Sequence, residues 1–163
     1  MTGSDALSTS WSTDEVAVMH GLRDWSLASE ELHRHLSAWM ALPVTDADAL
    51  GRIVWAEQSG HPLSPAELAR QIGMTSGAVS VLIDRLERAG HVERHRGDAD
   101  RRRVNLRPTS AARAGTADFL DAAGTEIAAA VRDTPAEELR VVRAFLDRMT
   151  SASGAANTRL RAG

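Results

Sequence analysis

Six arginines fall within the fourteen residues from Arg94 to Arg107: Arg94, Arg96, Arg101, Arg102, Arg103 and Arg107. A guanidinium is always charged, planar and forked, so a cluster of them is suited to holding phosphate oxygens and to entering a narrow groove of negative potential. The surrounding pattern can present them. His91 to Arg96 alternates as a strand, Gly97-Asp98-Ala99-Asp100 reads as a turn, and Arg103 to Arg107 returns with Val104 and Leu106 on one side.

Two short helices must come before this ribbon if it is to act as a wing. Ser64, Pro65 and Glu67 supply an N-cap, an N1 proline and a capping-box acid for the first, with Leu68 and Ile72 turned inward and Gly73 ending it. Met74 and Thr75 lead into the second, where Val79, Leu82, Ile83 and Leu86 recur at the spacing of one helical face and Gly90 closes the run. The opposite face carries Gly77, Val81, Asp84 and Arg88, flanked by Ser76 and Ser80, and is the face available to a groove. The expected fold is mainly α with a small β-wing, a winged helix-turn-helix lobe between flanking helices.

Charge is distributed to match. The chain of 163 residues has net charge −3, yet Ser64 to Arg113 holds ten arginines and six acids, against nine arginines and sixteen acids elsewhere. A basic module on an acidic scaffold is the footprint of a polyanion partner. All 19 basic residues are arginine, which a GC-rich coding bias explains as well as any selection for phosphate forks. With no cysteine, zinc-thiolate sites, disulfides and thiol redox sensing are excluded, and 43% hydrophobic content is enough for one compact core. The apolar runs are shorter than a membrane span and the N-terminus is polar, so a cytoplasmic location without membrane contact is expected.

Outside the lobe, Ser12 and Glu15 form a capping box for a long helix in which Val18, Leu22, Trp25, Ser29, Leu32, Leu36 and Trp39 make a seam at alternating spacings of four and three. Pro43 ends it. Thr45 with Asp48 offers a cap for the next helix, whose apolar face is Leu50, Ile53 and Val54 and which should stop at Gly60. Thr109 caps an alanine-rich helix carrying Phe119, Ile127 and Val131 and broken near Pro135, and a last helix bears Leu139, Val142, Leu146 and Met149. The domain plan is therefore a flexible leader at 1–11, one domain at 12–150 with dimerisation helices at 12–42 and 109–150 around a DNA-binding lobe at 45–108, and a disordered tail at 151–163, where Ser, Ala, Gly and Asn dominate.

The stretches Leu63-Ser64-Pro65-Ala66-Glu67-Leu68-Ala69, Ile83-Asp84-Arg85-Leu86-Glu87-Arg88-Ala89-Gly90, Asp100-Arg101-Arg102-Arg103 and Leu106-Arg107-Pro108-Thr109 resemble the multiple antibiotic resistance regulator (MarR) family, roughly from Thr45 to Ala114. The resemblance implies a homodimer with interlocked first and last helices, and two winged lobes reading a pseudo-palindrome in double-stranded DNA. It assigns the minor-groove wing arginine to Arg102, held by Asp100, and DNA contacts to Thr75, Ser76, Gly77 and Ser80. Val81, Arg85, Arg88, Arg94, Arg96, Arg101 and Arg103 complete the candidate DNA-binding set. One position departs from the pattern: many members carry an arginine where this chain has Val81, which either meets a thymine methyl or is an exposed valine without a role.

The resemblance further implies a small aromatic or phenolic effector bound between the dimer helices and the lobe, for which His35, Trp39, Met40 and Trp55 are the candidates; core or dimer packing is the competing reading. His33-x-His35 and His91-x-x-x-His95 do not make a metal site. Helical residues two apart diverge, and strand residues four apart are separated by roughly 13 Å. No nucleophile elbow, glycine-rich phosphate loop or HExxH is present, so neither catalysis nor a cofactor is expected. Two functions compete: a ligand-released, DNA-binding repressor and a winged-helix protein-interaction module that does not bind DNA.

Overall fold

Ser12 opens the first helix by accepting from Glu15 N–H at 3.3 Å while its own N–H donates to Glu15 Oε2 at 2.7 Å, the reciprocal box anticipated from the sequence. The computed structural model describes residues 11–96 and 104–162. The leader 1–10 and the wing tip 97–103 lie outside them. In chain order the elements are α1 (Thr13–Trp39), α2 (Val44–Gln58), α3 (Pro65–Ile72), α4 (Ser76–Arg88), β1 (Val92–Arg96), β2 (Val104–Pro108), α5 (Ser110–Ala123), α6 (Thr125–Arg132) and α7 (Ala136–Ala162). Among the described residues, no helix is long and apolar enough to cross a membrane.

Leu50, Ile53 and Val54 of α2, Leu68 of α3, Val79, Leu82, Ile83 and Leu86 of α4, Val92 of β1 and Leu106 of β2 form one buried cluster. The apolar stripes of α2, α3 and α4 turn into it, because three amphipathic helices and a ribbon can cover one another's apolar faces only around a shared centre. The ribbon is antiparallel, with Val92 opposite Pro108, Arg94 opposite Leu106 and Arg96 opposite Val104. It is tied to the lobe by Leu106 N–H donating to Leu63 O at 2.7 Å. Thr109 secures the other end: its hydroxyl donates to Gly90 O at 2.7 Å and accepts from Ala112 N–H at 3.1 Å, so one side chain both caps α5 and holds the turn after α4.

Turn chemistry places α3 against α4. Gly73 takes the left-handed conformation at φ 67° and Gly90 does so at φ 76°, each ending a helix with a backbone that a β-carbon would strain. Ala41 adopts φ 51° without that freedom, just past the end of α1.

Four expectations are corrected. The second helix starts at Val44, with no side-chain cap, rather than from a Thr45 cap: Pro43 O accepts from Ala47 N–H at 2.9 Å, and Asp48 instead pairs with Arg52 at 3.0 Å one turn on. The helix after Thr109 breaks at Gly124, not only near Pro135, because a β-carbon there would sit 2.5 Å from Leu120 O and the chain turns tightly at a residue that lacks one. The segment from Ser151 is helical to Ala162 rather than disordered. It contains no proline, and Ser151 and Thr158 each donate at 2.9 Å to the carbonyl four residues back, which satisfies their hydroxyls on the helix itself. Finally, the span expected to be one domain forms two compact units, Met1–Phe119 and Leu120–Gly163. The first contains the buried cluster; in the second no described residue of α6 or α7 is buried.

Candidate nucleic-acid interface

The second helix of the hairpin, α4, begins at Thr75, whose Oγ1 accepts from Ala78 N–H at 3.3 Å. The cap uses a lone pair and leaves the hydroxyl proton able to donate outward. Ser76 and Gly77 fill the first turn, which is exposed and carries no acid, so the positive end of the helix dipole suits an anion there. Ser80 donates to Ser76 O at 3.0 Å, which keeps its oxygen lone pairs for a donor. Val81 stands 54% exposed on the same face. Arg88 Nε donates to Asp84 O at 3.1 Å, and its two terminal nitrogens carry no hydrogen bond among the described residues. The structure thus collects Thr75, Ser76, Gly77, Ser80, Val81 and Arg88 on one exposed surface.

Two of the candidate arginines are engaged inside the lobe. Arg85 donates through Nε and Nη2 to Asp46 of α2 at 2.9 and 2.6 Å, a bidentate pair whose carboxylate is only 1% exposed. Hydrogen bonding to Asp46 raises the Arg85 pKa further above its ordinary value, so the guanidinium stays charged. Arg94 of β1 reaches back to α4, donating to Asp84 Oδ1 at 2.7 Å and to Glu87 through its other terminal nitrogen, while Glu87 also accepts its backbone N–H at 3.1 Å. The first pair braces α4 against α2 and the second braces the wing against α4. Arg96 is exposed at the end of β1. Asp100, Arg101, Arg102 and Arg103 lie outside the described residues.

The sequence reading missed Asp46, Glu57, Asp84 and Glu87 as partners. Asp46 did carry a signal, because an acid four and seven residues before Leu50 and Ile53 shares their inward face and so needs a buried cation. Glu57 receives Arg113 Nη1 at 3.0 Å from fifty-six residues away, which no local spacing announces.

The effector candidates are not gathered in one place. Trp39 packs edge to face on Phe119 at a centroid distance of 6.0 Å, and Met40 is close enough to α5 that a β-carbon on Gly115 would lie 3.0 Å from its sulfur. His35 is exposed on α1, and Trp55 is 73% exposed on α2.

This arrangement defines a winged helix-turn-helix lobe. Residues 42–103 match the model of the MarR family. The HTH-type transcriptional regulator YcgE of Bacillus subtilis (strain 168), itself uncharacterized, is 30% identical over 112 residues, or 69% of this chain and 71% of YcgE. The HTH-type transcriptional repressor YetL of the same organism is 32% identical over 78 residues, 48% of this chain and 47% of YetL, so the match spans about half of that relative. Staphylococcus aureus MepR in its DNA-binding conformation shares the fold at a TM-score of 0.64 and 21% identity, covering 83% of this chain and 97% of MepR. Further MepR structures align at 0.52 (22% identity, 80% and 95% covered) as a DNA complex and at 0.51 (21% identity, 78% and 92% covered) bound to ethidium bromide. The chain belongs to the MarR family and is a winged-helix transcriptional regulator, not an enzyme.

Proposed function

We propose that this regulator acts in the cytoplasm as a sequence-specific, DNA-binding repressor, a homodimer on a pseudo-palindromic operator that a small aromatic or lipophilic molecule releases. The observation that carries the DNA reading is the exposed face of α4, where an acid-free helix N-terminus, the hydroxyls of Thr75, Ser76 and Ser80, and Arg88 stand together, followed by the arginine-rich strand β1. Thr75, Ser76 and Gly77 hold phosphates, Ser80 and Val81 meet base edges, Arg88 and Arg96 contact the backbone, and Arg101, Arg102 and Arg103 reach the minor groove with Asp100 orienting Arg102. Arg85 and Arg94 serve this surface by fixing its parts. The repressor sense is supported by the likeness to YetL, and effector release by the ethidium complex of MepR. Trp39 and Met40 against α5, with His35 and Trp55, remain the proposed contacts.

Anisotropy titration against the DNA upstream of the chain's own gene, at two salt concentrations, tests the reading. Specific affinity should exceed that for random duplex by ~10³ or more. Arg102→Ala should weaken operator binding and flatten the salt dependence by about one unit of log–log slope per site, while Arg143→Ala on α7 should change neither. Equal affinity for operator and random DNA would favour the protein-docking alternative. An effector that quenches Trp39 or Trp55 should release DNA over the same concentration range, since one event drives both.

A further inference from the structure

The exposed face of α4 has an acid at its centre. Asp84 follows Gly77 and Val81 and precedes Arg88 on that face, and its side chain is 54% exposed. A carboxylate on a surface that meets phosphates opposes binding to any duplex, so its position needs a compensating gain. Arg94 provides only part of it. A single guanidinium bridges Asp84 and Glu87, leaving one net negative charge in the cluster, and Glu87, at 29% side-chain exposure, is the more sheltered of the two acids. The bridge also removes freedom: Asp84 Oδ1 is held at 2.7 Å by Arg94, and Oδ2 carries no hydrogen bond among the described residues. A carboxylate with one oxygen anchored and the other open toward a groove is a fixed acceptor. In the major groove the matching donors are base amino groups, and for an acidic side chain the established pairing is with cytosine N4.

We infer that Asp84 is a specificity-determining residue, oriented by Arg94, which accepts from a cytosine amino group at the cognate site and repels duplexes that lack one there. This rests on the DNA-binding reading above. It assigns the acids of α4 a role in rejecting wrong sequences, since a desolvated carboxylate without a donor costs affinity wherever the base does not match.

Selection of bound duplexes from a randomised pool, with wild-type protein, Asp84→Asn and Asp84→Glu, tests it. Asp118→Asn, at an exposed position of α5, is the control for an equal change in net charge. Wild-type protein should enrich a cytosine at one position of each half-site. Asp84→Asn should lose that preference, bind random duplex a few fold more tightly, and lower the ratio of specific to random affinity by roughly 5- to 150-fold. Asp84→Glu should keep the weak random binding but lose the cytosine preference, because the carboxylate moves by one methylene. If Asp84→Asn enriches the same sequence as wild type, or lowers specific and random binding by the same factor, Asp84 acts only as a brace for Arg94 and the inference is overturned. Failure of the wild-type protein to enrich any sequence would instead overturn the DNA-binding reading and this inference with it.

Discussion

Asp46 and Arg85 contribute to the fold unequally, although they make one ion pair. The carboxylate is 1% exposed on its side chain, whereas that of Arg85 is 44% exposed. Truncating the arginine therefore strands a buried charge, while truncating the aspartate leaves a guanidinium that water can solvate. Arg85→Ala should lower the melting temperature more than Asp46→Ala, and the double variant should recover part of the loss of Arg85→Ala. Thermal denaturation of the three proteins checks this, and an Arg85→Ala melt no lower than that of the double variant would remove the asymmetry. Ala41 offers a change in the opposite direction. Its φ of 51° costs a residue with a β-carbon about 1–2 kcal/mol, and glycine's extra unfolded-state entropy offsets only part of that. Ala41→Gly should stabilise by roughly 0.5–1 kcal/mol, a rise of about 2 °C in Tm.

At the scale of elements, the signals that worked were those in which local chemistry and burial agree. The caps at Ser12 and Ser64, Pro65 at the start of α3, the glycines that end α3 and α4, and the stripe Val79, Leu82, Ile83, Leu86 were all legible in the sequence, since a helix needs its end groups satisfied whatever surrounds it. The Gly124 break was not, because a glycine inside an alanine-rich helical pattern is tolerable, and only the structure shows the chain turning there so tightly against the Leu120 carbonyl one turn back that a β-carbon would not fit. Of the candidate site, the exposed face of α4 was legible from periodicity and the inward position of Asp46 was legible from its spacing to Leu50 and Ile53, but which arginine meets Asp46, and the partners of Arg94, were not, since ion pairs across elements leave no spacing rule. The α1 cap also gives a pH test. Hydrogen bonds from the backbone and then the hydroxyl of Ser12 lower the Glu15 pKa below its ordinary 4.5. A depressed carboxylate contributes stability that is complete above the unfolded value and lost as pH falls through the folded one. The NMR titration of Glu15 should have its midpoint below 4.5 and move upward in Ser12→Ala; an unchanged midpoint would mean that the box does not hold the charge.

The molecule as a whole exposes more apolar surface on its flanking helices than one copy can justify. Along α1, Val18, Trp25 and Trp39 of the four-three seam are exposed while Leu36 of the same seam is buried, so much of the stripe stays uncovered within a single copy. In the second unit Val141, Val142, Leu146 and Leu160 of α7 are exposed as well. Large aromatic and branched residues spaced for helix packing, and left open to water over several turns, mark a protein interface, and the symmetric solution for identical chains is an isologous dimer. The lobe differs, with the stripes of α2, α3 and α4 turned into its core and, besides Val81, a polar exposed face on α4, which fits a module that meets DNA while the flanking helices meet a second copy. Multi-angle light scattering at micromolar concentration should therefore give twice the chain mass of 17.5 kDa, and the apparent Tm should rise with protein concentration, as mass action requires when only the folded dimer is stable. Trp25→Arg, and separately Val142→Arg, should place an unpaired charge in that interface, shift the mass toward the monomer and lower Tm, while leaving the lobe's salt-dependent affinity for random duplex in place. A monodisperse 17.5 kDa species in the unaltered chain would show that the two stripes are covered in some other way and would separate DNA binding by the lobe from any requirement for a second copy.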